Sequence, residues 1–329
     1  MSDSPRILVT GGAGFIGSAI VWALNERGIE DIVVCDRLSR DEKWKNLVPL
    51  RFSDYIDADD LSVRIDRGDD LGGFTHIYHL GACSATTELD ADYLMRNNYE
   101  YTKRLAHWAL ERGTRFVYAS SAATYGDGSQ GMDDRDPDLD RLRPLNMYGY
   151  SKHLFDLYAR RRGILDAIVG LKYFNVFGPN EGHKGDMRSV VHKAFAQIRD
   201  TGRVGLFKSY RPDYDHGRQQ RDFLYVKDAV AMTIHLAEHP TAGGLFNLGS
   251  GVAHTWVDLA EAIFAAMDRE TAIDFIEMPE GLREKYQYHT CADIAKLRGT
   301  GYDRPVMSLR DAVADYVRGY LATGRGLGA

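Results

Sequence analysis

Cysteine is scarce in this chain of 329 residues: Cys35, Cys83 and Cys291 stand far apart and match no zinc-ligand spacing. A sparse, odd set fits a reducing cytosol and no disulfide framework, so a cytoplasmic protein with no metal site is expected. No run of about 18 apolar residues occurs, so no membrane-spanning helix and no membrane partner are expected. Met1-Ser2-Asp3-Ser4-Pro5 leads straight into Arg6-Ile7-Leu8-Val9-Thr10, without the apolar stretch of a signal peptide. An excess of positive charge is also missing. The 41 Lys and Arg against 47 Asp and Glu leave a formal net charge of -6, which speaks against a nucleic-acid binder. Internal repeats and low-complexity segments are absent. What remains is ordinary globular composition, 44% hydrophobic, long enough for one large domain or two smaller ones.

The first apolar run, Ile7-Leu8-Val9, reads as a buried strand and stops at Gly11-Gly12-Ala13-Gly14-Phe15-Ile16-Gly17. A helical pattern follows through Ile20, Val21, Ala23 and Leu24. Gly11, Gly14 and Gly17 thus recur every third residue at a strand-to-helix junction. Glycine there permits a tight turn, close approach of a pyrophosphate and close packing of helix on strand, while the helix N-terminus offers N–H groups to the phosphates. Gly11, Gly14, Phe15, Ile16 and Gly17 are therefore assigned to a dinucleotide. The second strand, Asp31–Cys35, ends at Asp36-Arg37. Asp36 suits the ribose hydroxyls of NAD; Arg37 and Lys43 suit the 2′-phosphate of NADP, and the balance favours NADP with NAD left open. After the strand His76–Leu80, the small residues Gly81, Ala82 and Cys83 let backbone approach the cofactor. Leu80, these three residues and Asn97, a polar position of the next helix, join the cofactor set.

Further strands are expected at Leu50–Phe52, Arg115–Ser121, Val204–Phe207, Arg221–Val226 and Gly244–Gly249. Helices are expected at Asp57–Asp70, Tyr93–Glu111, Ser151–Arg162, Ser189–Asp200, Val226–Ala237, Thr255–Met267, Ile294–Arg298 with Asp293 as its N-cap, and Leu309–Leu321. Residues 324–329 are expected to fray. The fold class is α/β: a doubly wound parallel (Rossmann) sheet with a smaller mixed α/β domain over its mouth. The dinucleotide-binding domain is placed at 1–174 with a return near 222–250, and the substrate-binding domain in the remaining segments of 175–329.

Tyr148 and Lys152, four residues apart, share one face of the Ser151–Arg162 helix region. An ammonium beside a phenol favours the phenolate, so Tyr148 is a candidate general base. Ser121 closes a strand and is placed to bond a substrate hydroxyl or carbonyl. Arg218 and Arg221 suit a nucleotide pyrophosphate, the alternative being surface pairs with nearby acids.

Together the glycine turn, Ser121 and Tyr148-x-x-x-Lys152 resemble the extended short-chain dehydrogenase/reductase family, which acts largely on nucleotide sugars. A narrower resemblance rests on Gly81-Ala82-Cys83-Ser84, Ser120–Gly126, the run Tyr173-Phe174-Asn175-Val176-Phe177-Gly178-Pro179-Asn180-Glu181-Gly182-His183-Lys184-Gly185, and Arg283-Glu284-Lys285-Tyr286-Gln287. These are similar to the ADP-L-glycero-D-manno-heptose 6-epimerase family. The resemblance implies inversion at C6 of ADP-D-glycero-D-manno-heptose, a precursor of lipopolysaccharide core, with bound NADP and no net redox change. It also implies a homo-oligomer, with pentamers known. By motif position it assigns Ser121, Tyr148, Lys152 and Lys184 to catalysis. Ser121, Asn175, Lys184, Phe207, Arg221 and Tyr286 go to substrate binding. A UDP-hexose 4-epimerase, which gives no reason for Lys184, and a non-catalytic NADP sensor are the alternatives.

Overall fold

The computed structural model describes residues 5–283 and 286–329. Met1–Ser4 of the N-terminal reading and Glu284-Lys285 of the Arg283–Gln287 run lie outside the described residues.

Alternating apolar side chains set the layers. Strands β1 (Ile7–Thr10), β2 (Ile32–Asp36), β3 (Asp54–Asp57), β4 (His76–His79), β5 (Arg115–Ser121) and β6 (Val169–Tyr173) form one parallel sheet. Val9, Val34 and Tyr78 point into one core while Leu8, Val33 and Ile77 point into the other. Both faces must therefore be covered. Helix α1 (Phe15–Asn25) lies on the first face; α2 (Ala58–Arg67), α4 (Tyr101–Glu111) and α5 (Met147–Arg161) lie on the second, with α3 (Ala91–Leu94) packed against α5. The helix expected from Tyr93 to Glu111 is interrupted by a π-helical turn at Met95–Glu100.

Beyond β6 the chain leaves and re-enters this sheet. Strand β7 (Asn175–Phe177), helix α6 (Val190–Thr201), β8 (Val204–Phe207) and β9 (Gln220–Tyr225) come first. Helix α7 (Val226–Glu238) then packs beside α1, and β10 (Gly244–Leu248) pairs with β6. The strand order is β10-β6-β5-β4-β1-β2-β3. Next come β11 (Ala253–Thr255), α8 (Trp256–Ala266), β12 (Ile273–Ile276), α9 (Glu280–Arg283), α10 (Ala295–Gly299) and α11 (Leu309–Tyr316). They complete a three-stranded sheet β11-β9-β7 and a two-stranded sheet β12-β8. The Thr255 hydroxyl and the Asp258 carboxylate cap α8 reciprocally.

Three expectations need correction. Leu50–Phe52 is not the third strand. The Asn25 amide clamps Arg51 through its N–H and its carbonyl, both at 2.8 Å, so this stretch is tied to the end of α1 and β3 begins at Asp54. Asp293 accepts the N–H of Ala295, but α10 is capped at Ile294, one residue later than expected. Residues 324–329 do not fray: Leu327 is 1% exposed and its N–H reaches Asn180.

Candidate active site

The chain leaves β1 through Gly11, whose φ is 68°. A Cβ there would lie 2.7 Å from the Gly81 nitrogen, and one on Gly17 would lie 2.0 Å from the Gly11 carbonyl oxygen. Real Cβ contacts do not come so near, so these positions need glycine. No side chain caps α1, which leaves N–H groups of its first turn, from Phe15 and Ile16 onward, for an anion. The bare helix end and the glycine cradle fit a dinucleotide pyrophosphate. At the end of β2, the Asp36 carboxylate accepts the N–H groups of Ala13 and Arg37, at 2.9 and 2.7 Å. The Lys43 ammonium lies 3.0 Å from it. The Arg37 guanidinium pairs instead with Asp59. Beside that pair lies a cavity of about 290 Å³ whose walls include Tyr93, Arg96 and Asn97.

The loop after β4 closes on the glycine turn: Leu80 and Gly81 donate to the carbonyl and hydroxyl of Thr10 at 3.0 and 3.2 Å. Ala82 and Cys83 follow, and Cys83 is held by Asn98, which takes its N–H at 2.8 Å and donates to its carbonyl at 3.0 Å. The same Asn98 amide reaches the Ser151 hydroxyl on α5 at 3.0 Å. Sequence reading assigned the neighbouring Asn97 to the cofactor and gave Asn98 no role. The π turn carries an extra residue and rotates Asn98 inward, which a 3.6-residue period does not foresee.

Helix α5 starts at Met147, earlier than the reading from Ser151, because the Asn146 side chain accepts the Gly149 N–H at 2.8 Å. That puts Tyr148 in its first turn and Lys152 one turn on. Ser121, at the end of β5, accepts the Ala123 N–H at 3.1 Å and lies beside the Tyr148 phenol. Burial pushes this phenol up, and the neighbouring Ser121 hydroxyl pulls the other way. The Lys152 ammonium donates to the Ala119 carbonyl at 2.8 Å and is pulled down to about 8 by burial. Lys152 does not figure among the causes acting on Tyr148, so the depression expected from their spacing gives way to burial.

Lys184 lies on the turn between β7 and α6, with its ammonium 5.4 Å from the centre of the Phe15 ring, directly at the start of α1. Burial pushes it below the usual lysine range. Asn175 opens β7 and is exposed; Phe207 closes β8 and is half-buried. Arg221, on β9, is buried, with its guanidinium 5.0 Å from the Tyr286 ring centre and 5.7 Å from that of Trp256. Trp256 donates its indole N–H to the Tyr286 hydroxyl at 2.8 Å, which locks this aromatic frame. The sequence reading gave no hint of Trp256, which comes from α8. Arg218 falls away from this group: it is exposed and 3.8 Å from Asp258, the surface pairing that was its alternative. Among the described residues, no group of three or more His, Cys, Asp or Glu is placed to hold a metal ion, and no helix is long and apolar enough to cross a membrane.

Residues 7–249 match the model of the NAD dependent epimerase/dehydratase family. A relative from Nitratidesulfovibrio vulgaris named ADP-L-glycero-D-manno-heptose-6-epimerase is 57% identical, over 96% of this chain and 98% of its own. One of the same name from Fusobacterium nucleatum is 45% identical over 96% and 98%. Among solved structures, the Helicobacter pylori ADP-L-glycero-D-manno-heptose-6-epimerase superposes with a TM-score of 0.80 at 26% identity, covering 96% of each chain. The UDP-glucose 4-epimerase of Thermus thermophilus, complexed with NAD, gives 0.72 at 25% identity over 95% and 98%. Glycine cradle, bare helix end and family agree on a nicotinamide cofactor. The chain belongs to the NAD dependent epimerase/dehydratase family and, within it, to the ADP-L-glycero-D-manno-heptose-6-epimerases.

Proposed function

We propose that this enzyme inverts C6 of ADP-D-glycero-D-manno-heptose through a 6-keto sugar, supplying heptose for lipopolysaccharide core. The observation that carries the reading is the placement of Ser121, at the carboxyl end of β5, beside Tyr148 in the first turn of α5, with the buried Lys152 one helical turn on. The nicotinamide, when bound, accepts a hydride and returns it, so no net redox change results.

The chain's own residues move the protons. Tyr148 takes the proton of the C6 hydroxyl, and the Ser121 hydroxyl beside the phenol holds the sugar oxygen in line. Lys152 exerts no pull on the neutral phenol; in this reading its ammonium, with a pKa of about 8, is the positive charge that a phenolate formed beside the bound sugar would face. The keto sugar turns its other face by rotation about C5–C6. Lys184 delivers the second proton, helped by the burial that lowers its affinity for it. Arg221, framed by Tyr286 and Trp256, receives the diphosphate, with Asn175 and Phe207 toward the sugar. Residues 1–174 with the return near 222–250 bind the cofactor, and the remaining segments of 175–329 bind the substrate.

The cofactor in this reading is NADP. Supporting it, Asp36 is already engaged by Ala13, Arg37 and Lys43, and the Lys43 ammonium at the end of β2 offers a positive charge that suits a 2′-phosphate. A cytoplasmic homo-oligomer, pentameric by family resemblance, belongs to the same proposal.

The test is conversion of ADP-D-glycero-D-manno-heptose followed by NMR without added cofactor, with the nucleotide released from the denatured protein identified by mass. Formation of the L-glycero epimer and recovery of NADP are expected. No conversion after adding either nucleotide, with turnover of UDP-glucose instead, overturns the substrate; recovery of NAD alone overturns the cofactor.

A further inference from the structure

The turn that carries Lys184 is held at both ends by buried groups. Its far end, Ser189, donates its N–H and its hydroxyl to the Glu181 carboxylate, both at 2.6 Å, and Tyr316 of α11 lies beside that carboxylate. At its near end stands Asn180. This residue has φ of 76°, a conformation that costs a non-glycine residue and persists only where its surroundings impose it. Asn180 is 8% exposed, and three of its polar atoms have partners from three parts of the chain. Its amide donates to Ser18 of α1 at 3.0 Å. Its backbone carbonyl accepts from Asn46 at 3.1 Å. Its side-chain oxygen accepts the Leu327 N–H at 2.9 Å.

The last of these is made by the segment expected to fray. Leu327 is 1% exposed and belongs to the same core as α1 and α11. Its neighbour Gly326 lies so near that a Cβ would sit 2.9 Å from the Asn180 side-chain oxygen, and Gly328 backs onto Pro49 and Leu50. Between Asn180 and Lys184 the chain has Gly182, and Gly185 follows with φ of 54°, so the turn has little stiffness of its own. Its position is set from outside.

We propose that Leu327 is a positioning residue for the reaction: its buried side chain and its N–H hold Asn180, and Asn180 fixes where the Lys184 ammonium sits over Phe15. The proposal rests on the reading of Lys184 as the second proton carrier. No proton passes through Leu327 or Asn180. Loosening either lets the turn lift and lets water reach the ammonium.

The test compares Leu327→Asp, Leu327→Met and Asn180→Gly in the full chain with its bound nucleotide, at a temperature where circular dichroism shows each folded. In Leu327→Asp and Asn180→Gly, kcat falls about tenfold while KM and nucleotide content stay within about twofold. The alkaline limb of the kcat–pH profile moves upward, because an ammonium returned to water recovers an ordinary lysine affinity for its proton. Leu327→Met keeps the apolar volume and restores both readings. In a Lys184→Ala background, Leu327→Asp lowers the residual turnover no further. A folded Leu327→Asp chain with unchanged kcat and unchanged pH limb overturns the proposal, as do independent losses in the double variant. Should Leu327→Asp not fold, Asn180→Gly decides alone, since glycine accepts the left-handed backbone. An inactive Lys184→Ala beside an unaffected Leu327→Asp sinks this proposal only; a fully active Lys184→Ala sinks the role of Lys184 and this proposal with it.

Discussion

Lys172 and Asp156 form an ion pair, 3.2 Å apart, in which neither side chain is exposed to solvent. Asp156 also accepts the hydroxyls of Tyr118 and Ser120, each at 2.8 Å, and the Lys172 ammonium lies 4.5 Å from the Tyr125 ring centre. The pair thus joins β6, β5 and α5 directly beneath Ser121 and Lys152. Removing one partner strands a buried charge. Lys172→Met is expected to cost about 3–5 kcal/mol in urea denaturation, a much larger loss than for a surface lysine. A change below about 1 kcal/mol would show that Asp156 finds compensation in its hydroxyl partners.

His79 is expected to make the fold acid-sensitive. It is buried between the Thr10 hydroxyl at 2.6 Å and the Thr102 hydroxyl at 2.9 Å, and burial pushes it down to about 3. In the unfolded chain a histidine takes its proton near pH 6.5, so between about 6.5 and 3 the unfolded state binds more protons. Its contribution is complete above about pH 6.5 and is lost as pH falls, with a slope of at most about 1.4 kcal/mol per pH unit. Denaturation midpoints of the protein and of His79→Gln, compared from neutral to mildly acid pH, check this. Parallel slopes would mean that His79 is not the source.

Gly17→Ala is expected to empty the cofactor site, because the new methyl group meets the Gly11 carbonyl at 2.0 Å and must displace the turn that cradles the pyrophosphate. The readout is nucleotide recovered per mole of protein. Gly73→Ala, where nothing lies within 4 Å, serves as the control and keeps its nucleotide. Full nucleotide content in Gly17→Ala would place the pyrophosphate elsewhere.

Arg221→Lys is expected to raise KM for the nucleotide sugar about tenfold with a smaller change in kcat. A lysine keeps the charge but loses the planar group that stacks against Tyr286 and Trp256 and grips phosphate with two nitrogens. An unchanged KM would remove Arg221 from the diphosphate site.

Tyr148→Phe is expected to reduce epimerisation by at least about a hundredfold, and Ser121→Ala by less, since the phenol carries the proton and the serine only orients it. Both variants should retain bound nucleotide. Near-normal turnover in Tyr148→Phe would assign the proton to another group.

Local features were legible because they act over a few residues. The glycine spacing, the small residues after His79 and the Tyr148–Lys152 interval each correspond to a turn or a helix face, and the elements around them stand close to where the sequence places them. Asn98 was not legible, since the π turn that rotates it inward has no compositional signature. Nor was the upward push on Tyr148, because burial is a property of everything packed around the phenol.

The sequence by itself determined the parallel sheet, the order of its helices and the family, since period, glycine spacing and motif are local or additive along the chain. Only the tertiary structure decided which distant residues meet. Trp256 frames Arg221 across 35 positions, Lys172 reaches Asp156 from the next strand, and Leu327 closes on Asn180 across 147. Such pairings come from packing two cores against one sheet, where each residue's partners follow from the shape that all the others leave.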